Sequence, residues 1–469
     1  MDPRRVASEL ATVKLGDARL ERRAVHSARM LARKPSAGLP KVLTPAELEG
    51  YYRLVNNEQV SWQALLAAHV QATRVRAASA GRVVVAEDTT DFRFRDEVLR
   101  EGLGPMDNGG QGFYAHFALA VAGPMHPLGV VGVEPWVRAP KPPGPAKRRQ
   151  RERYLAADKE SLRWQRMVDT VEAELAGGPV IVHVMDREAD DYDLLAHLVA
   201  GGRHFVVRSS TDRRLGGPSG DGKLKTFVRT LEVLCERTAK LAARPVKGRP
   251  AKERKKYPAR KKRLAQLTIS RERVCLRRPD RASKELPAQL ELNVVSVNEP
   301  EPPQGCEAVE WILFTSEPIT TEEQVLQVID DYRLRWLVEE YFKALKSGCA
   351  FERRQHESKS ALLNTLAIFI PIAWSLLQLR ALSRSPAHAD TPASAVLTAT
   401  QIQVLRAKSG GRVAANPTIR EAMLAIALYF GGHIKNNGEP GWQVLGRGYE
   451  DLLLAETGWL LAAATRGEM

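Results

Sequence analysis

The stretch YRLRWLVEEYFKALKSG, from Tyr332 to Gly348, sets a carboxylate among cations at helical spacing. At about 100° per residue, Tyr332, Arg335, Glu339, Lys343 and Lys346 share one face of a helix, while Leu334, Leu337, Val338, Tyr341 and Leu345 line the other. The apolar side reads as core. The polar side alone would pass for a solvated surface with i,i+4 ion pairs. Two strand-like runs give it a second meaning: RVVVAED is apolar up to Glu87 and Asp88, and PVIVHVMD is apolar up to Asp186. Ligands of open α/β sheets gather beyond the carboxyl ends of strands. Two aspartates there, joined by a glutamate from a helix, would offer oxygen ligands to one or two hard divalent cations. Each aspartate also has an ordinary use, Asp88 as a turn cap before Thr89 and Thr90 and Asp186 as the start of the next helix. The three acids together, beside a basic face, suit in-line displacement at phosphorus. Arg335, Lys343 and Lys346 would then hold the flanking phosphates, with Tyr332 donating a hydrogen bond to another.

The rest of the composition agrees. Four cysteines, Cys235, Cys275, Cys306 and Cys349, are far apart with no CxxC pair, which argues against a disulfide framework and a zinc site. At 469 residues the chain exceeds what one core serves, so two to four domains are expected. The net charge of +15 points to a polyanionic partner, nucleic acid first and an anionic membrane second. Between Lys240 and Arg263 stand twelve Lys and Arg against Glu253 alone, so this segment carries +11 of that charge. It reads as a basic loop able to track phosphates and to order on DNA. The start, MDPRRVASEL, has no apolar signal core, and the run LAIFIPIAWSLL at 366–377 is short for a bilayer and holds Pro371, so no membrane association and a cytoplasmic location are expected.

The elements that must position these residues follow in order. Residues 1–75 read as helical, with Asp17 as a cap and TPAELEGYYRLVNN as a helix capped by Thr44 with Pro45 in its first turn. From about 81 come short runs rich in Val, Phe and Tyr: RVVVAED, GFYAHFALAVAG, PLGVVGVEPWV, PVIVHVMD and HFVVRSS, with helices at 151–176 and 190–200 between the later ones. A mixed α/β sheet is the expectation. LAQLTISRERVCL and LELNVVSVNE make 210–310 a β-rich insertion around the basic segment. Helices at 321–347 and 359–383 follow, and LSRSPAHADTPASA looks like a linker to a last helical region.

In sequence the pattern Tyr332-x2-Arg335-x3-Glu339-x6-Lys346, preceded by DREAD at 186–190 and EDTT at 87–90, resembles the signature of the DDE transposases of the IS-four type, closest to that of transposon five. LGDARLERR, GGQGFYAHFALAVAG, HFVVRS, EWILFTSEP and GWQVLGRGYEDL extend the likeness along the chain. The resemblance implies an RNase H-like core at 76–209 and 311–385 interrupted by the β-rich insertion at 210–310. It also implies an N-terminal helical domain (1–75) that binds transposon ends and a C-terminal helical domain (386–469) that forms a homodimer. It implies that Asp88, Asp186 and Glu339 hold two Mg²⁺ ions, replaceable by Mn²⁺, and that Tyr332, Arg335, Lys343, Lys346 and Arg208 grip DNA. By the same likeness Trp311 stacks on a base flipped out of the duplex, and Arg19 and Arg23 read the terminal inverted repeats. The implied reaction is cut-and-paste transposition through a hairpin into target DNA. Leu20, in place of a basic residue, and Phe113-Tyr114, in place of paired tryptophans, depart from the pattern. On residues alone, a structure-specific nuclease and a catalytically silent DNA-binding protein are the rival readings.

Overall fold

The computed structural model describes residues 3–95, 98–107, 109–138, 159–244, 258–388, 390–434 and 439–466. In chain order the helices of the first stretch are α1 (Pro3–Glu9), α2 (Ala18–Arg33), α3 (Pro45–Val55) and α4 (Trp62–Ala78). Strands β1 (Arg82–Phe94), β2 (Gly104–Pro105), β3 (Gln111–Ala122) and β4 (His126–Trp136) follow, then α5 (Leu162–Glu174), β5 (Val180–Met185), α6 (Tyr192–Ala200), β6 (His204–Arg208) and α7 (Leu224–Val228). Next come β7 (Cys235–Leu241), β8 (Arg263–Arg277), β9 (Gln289–Asn298), β10 (Glu310–Thr315), α8 (Glu322–Leu334) and α9 (Trp336–Lys343). The chain ends with α10 (Lys359–Arg384), α11 (Ala399–Lys408), α12 (Ile419–Tyr429) and α13 (Trp442–Arg466). The fold is mixed α/β, a sheet with helical regions before and after it in the chain, as expected. Of the basic segment, residues 245–257 lie outside the described residues, as do 151–158 of the expected helix at 151–176.

Two compact units divide the chain. The described parts of Met1–Lys159, Arg166–Val180 and Trp336–Met469 form one, and Glu160–Gln165 with Ile181–Arg335 the other. In the first, β3 pairs antiparallel with both β1 and β4. The helix starts follow the caps in the sequence: Asp17 accepts from the Arg19 N–H at 2.6 Å, and Thr44 and Glu47 close a reciprocal capping box with Pro45 in the first turn. In the second unit β5 and β6 are parallel, joined by α6 as a parallel pair requires. The remaining pairings, β6 with β10, β10 with β9, β9 with β8 and β8 with β7, are antiparallel.

Three expectations are corrected. Strand β1 does not end at Asp88. Thr90, Phe92 and Phe94 beyond it are buried, so pairing with β3 continues to Phe94 and Asp88 lies mid-strand opposite Phe117. The stretch from Tyr332 to Lys346 is not one helix. The Arg335 N–H turns back to Tyr332 O at 3.2 Å and to Arg333 O, separating α8 from α9, and Ala344–Gly348 forms a π turn in which the Cys349 N–H reaches Ala344 O at 2.8 Å. The single unbroken helix that the wheel assumes is therefore not formed. Third, the apolar run at 366–377 belongs to α10, which has 26 residues and is apolar enough to cross a membrane, yet 94% of its most apolar stretch is buried within the protein. It is a core helix packed against α4, β4 and α12.

Helix α10 also holds the N-terminal helices. The Asn364 side chain donates to Val55 O at 2.9 Å and Val60 O at 3.1 Å, and the Thr365 hydroxyl lies 2.7 Å from that of Tyr51 and 2.9 Å from His356 Nε2. Burial, with Arg354 and Arg100 nearby, pushes the His356 imidazole down to about 4. A base kept neutral in the fold protonates first in the unfolded chain. Its contribution to stability is therefore complete above about pH 6.5 and is lost as pH falls from there toward 4. Chemical denaturation at pH 7 and pH 4.5 is expected to show a loss of about 2 kcal/mol in wild type from this residue, and a clearly smaller loss in His356→Gln. Equal losses in the two proteins would contradict the assignment.

Candidate functional site

In the first unit the site is built from β1, β3 and α9. Side chains alternate along a strand, so Asp88, Thr90, Phe92 and Phe94 share a face of β1. Phe117, opposite Asp88, sits on that face and meets Tyr341 and Phe342 of α9 edge-on, with ring centroids at 5.8 and 5.5 Å. The helix that bears Glu339 therefore lies on the Asp88 face of the sheet. Both carboxylates are half-buried, and Asp88 accepts from the Thr89 N–H at 2.8 Å.

The neighbouring Glu340 fixes this helix, and sequence reasoning missed it. Buried, it accepts from Lys343 Nζ at 2.6 Å and from the Trp442 indole N–H at 3.0 Å, and it lies 3.0 Å from Arg380 Nε. Burial works to raise its pKa, but Lys343, Arg380 and Trp442 outweigh that and hold the carboxyl below its ordinary value. One acid thus ties α9 to α10 and α13. Its signal was weak, a second Glu beside Glu339.

Two of the expected DNA-binding cations of this unit have carboxylate partners within the chain. Lys343 pairs with Glu340 and lies 5.2 Å over the Trp336 ring, while Lys346 stands 2.9 Å from Asp91 and 3.9 Å from Glu352. Further toward the N-terminus, Arg19 is exposed in the first turn of α2. Arg23 is half-buried and lies over Gly50 of α3, where a Cβ would come within 3.2 Å of its Nε. Arg23 therefore helps pack α2 on α3.

In the second unit a different group assembles. Asp186 directly follows β5, and its carboxylate accepts from the Glu188 N–H at 2.8 Å, capping a short 3-10 turn over Arg187–Ala189. Helix α8 packs on β6 and β9 and brings Tyr332 to Trp311 of β10, edge-on with centroids 5.1 Å apart. The Arg208 guanidinium lies 5.6 Å over the Trp311 ring and donates to Glu310 O at 2.9 Å. Its Nε is buried with no hydrogen-bond partner among the described residues. Burial lowers the Arg208 pKa, Tyr332 works against that, and Arg187 and Arg335 add to it, so three guanidinium groups are close enough to repel. Arg187 was passed over within DREAD. So was Asp190, whose carboxylate accepts from Arg213 Nε at 2.8 Å and from the N–H groups of Ser210 and Thr211 at 2.7 and 2.8 Å, fixing the loop beyond Arg208.

Among the described residues, no group of three His, Cys, Asp or Glu side chains is placed to hold a metal ion. The donor chemistry of Asp88 and Glu339, carboxylate oxygens borne by a strand and by the helix packed on its face, suits a hard divalent cation.

Residues 4–60 match the family model described as Transposase DNA-binding, and residues 161–370 match the one described as Transposase DDE domain. Both matches are transposase domains. The DDE match includes Asp186, Arg208, Trp311, Tyr332 and Glu339, and Asp88 lies before it. Among solved structures the chain is similar to a piggyBac transposase in a synaptic complex with hairpin DNA, at 10% identity over 81% of this chain and 76% of that one. The TM-score is 0.39, too low for the likeness to carry weight.

The role of Glu340 can be tested by stability. Glu340→Ala removes a buried partner from Arg380 and Trp442 and is expected to cost about 3 kcal/mol in chemical denaturation, with a smaller cost for Glu340→Gln, which keeps an acceptor for the indole. A loss below about 1 kcal/mol for Glu340→Ala, the range of an exposed pair, would show that this anchor is not one.

Proposed function

We propose that this protein is a DNA transposase of the IS-four type, which cuts its element out and joins it into target DNA through a hairpin intermediate. The observation that carries the reading is the presence, in one chain, of matches to a transposase DNA-binding domain and a transposase DDE domain. In this reading Asp88, Asp186 and Glu339 hold two divalent cations, Mg²⁺ or Mn²⁺. When bound, such ions lower the pKa of water or a 3′-hydroxyl and stabilise the leaving oxygen.

The chain's own residues have separate tasks. Asp88 and Glu339 are presented on one face by the packing of α9 on β1 and β3. Arg208, Arg335 and Tyr332 hold phosphates on either side of the reacting one, and Trp311, already packed edge-on against Tyr332, offers a ring for an unstacked base. Lys343 and Lys346 exchange their carboxylate partners for phosphates. Arg19 projects from α2 toward the end sequence while Arg23 sets the angle of α2 on α3. Two copies on paired ends would complete the reaction.

The test uses the full chain, Mg²⁺ and linear DNA carrying the inverted repeats that flank the reading frame. Wild type is expected to yield hairpin and joined products. Glu339→Gln is expected to lower both by more than about a hundredfold, at least the loss that follows removal of a mere partner of a metal ligand, while binding of the end DNA changes little. Cleavage without any joined product would favour a structure-specific nuclease. Unchanged activity in Glu339→Gln would overturn the assignment of the acids.

A further inference from the structure

The first unit contains a cavity of about 380 Å³ whose lining includes three cations, Lys346 of the π turn, Arg353 just beyond it and Arg447 of α13. Ser36, from the loop after α2, and Gln443 add neutral hydrogen-bonding groups, and no Asp or Glu is among the described lining residues. The space exists because two glycines face each other. A Cβ at Gly446 of α13 would be 3.9 Å from Gly348 O, so helix and π turn meet with no side chain from either glycine. Ala350 adopts a left-handed conformation, φ 48°, which turns the chain so that Arg353 reaches the same rim.

Two of the nearby acids pair with Lys346 itself, and a third is held by a backbone N–H. Asp91 and Glu352 lie 2.9 and 3.9 Å from Lys346, and the Glu450 carboxylate accepts from the Ser36 N–H at 2.8 Å. Arg353 and Arg447 are exposed and form no ion pair or side-chain hydrogen bond with the described residues. Two uncompensated guanidinium groups with a lysine between neutral donors form a receptor for an oxyanion with several acceptor atoms, which planar Arg forks match better than a single carboxylate would require. The volume exceeds one bare ion and leaves room for a phosphate with an attached sugar.

We infer that this cavity binds a phosphate group, and that its source is the backbone of bound DNA at a position separate from the reacting phosphate. The DNA assignment rests on the transposase reading; the phosphate site does not. The other source is a free phosphate or polyphosphate.

The site is tested on the full chain by following thermal unfolding in inorganic phosphate against chloride at matched ionic strength. Wild type is expected to be stabilised specifically by phosphate, and the double variant Arg353→Gln/Arg447→Gln to need about tenfold more phosphate for the same shift. Both side chains are exposed, so the two proteins should unfold alike in chloride. No phosphate-specific shift in wild type, or equal responses in both proteins, overturns the site. In a second arm, the salt dependence of binding to a plain duplex is expected to become shallower by about one to two in the double variant. A lost phosphate response with an unchanged salt slope assigns the site to a free phosphate and overturns its assignment to DNA. Neither arm depends on strand transfer, so failure here is distinct from failure of the transposase reading.

Discussion

Phe117 stands across the β1–β3 ladder from Asp88 and under the rings of Tyr341 and Phe342, and this contact decides where Glu339 is presented. A glutamate on a helix is useful to a strand aspartate only if the helix cannot roll or slide. Aromatic edge-to-face packing resists sliding. Rolling is resisted by Glu340, one residue on, whose carboxylate is held by Lys343, Arg380 and Trp442. Adjacent residues on a helix point about 100° apart, so a carboxylate locked on one side fixes the direction of its neighbour. The C-terminal helices therefore serve the candidate site through Glu340: α13 contributes Trp442, and α10 contributes Arg380.

The same economy appears on the N-terminal side. Glu9 of α1 accepts from Arg76 of α4 at 2.6 Å and pairs with His69 at 2.7 Å, and the His69 Nε2 accepts from the Val130 N–H of β4 at 3.1 Å. Since that nitrogen is an acceptor, the proton sits on Nδ1 and is donated to Glu9. Burial lowers the His69 pKa and keeps the ring neutral, as the tautomer requires. The Arg76 guanidinium also covers Trp374 of α10 at 4.2 Å. The helical segment matched to a transposase DNA-binding domain is thus joined to the sheet unit through buried, directional bonds rather than through apolar contact alone.

How much of this could be read beforehand depended on the range of the physics involved. Caps such as Asp17 and Thr44 act over three residues and were legible, as were the Val-rich strands. The extent of β1 was not, because the buried half of its second segment, Thr90, Phe92 and Phe94, looks polar when read beside Thr89, Asp91 and Arg93. The break at Arg335 was not legible either. No Gly or Pro marks it, and each flanking residue favours helix, so only tertiary packing on both sides selects it. Tyr332, Trp311 and Arg208 were singled out separately, and their assembly follows from the pairing of β6 with β10 and the seating of α8. Glu340 and Asp190 were hidden by more prominent neighbours, Glu339 and Asp186.

The ion pairs of Lys343 and Lys346 bear on how such a surface could take up DNA. Without nucleic acid, a cluster of cations on one side of a unit would repel itself and weaken the fold. Asp91 and Glu340 relieve this, and Lys346 together with Arg93 outweighs the effect of burial on Asp91 and holds its carboxyl below the ordinary range. Partly exposed pairs of this kind contribute about 0–1 kcal/mol each, because water and salt screen them. A phosphate can therefore replace the carboxylate as partner at little cost, and the released counterions favour the exchange. Arg380 differs in kind from Lys343, although both pair with Glu340: the Lys343 side chain is half exposed, whereas the Arg380 guanidinium is itself buried and no phosphate could reach it. The structure thus separates cations that can change partners from those that hold the helix in place, and the distinction is made by burial rather than by residue type.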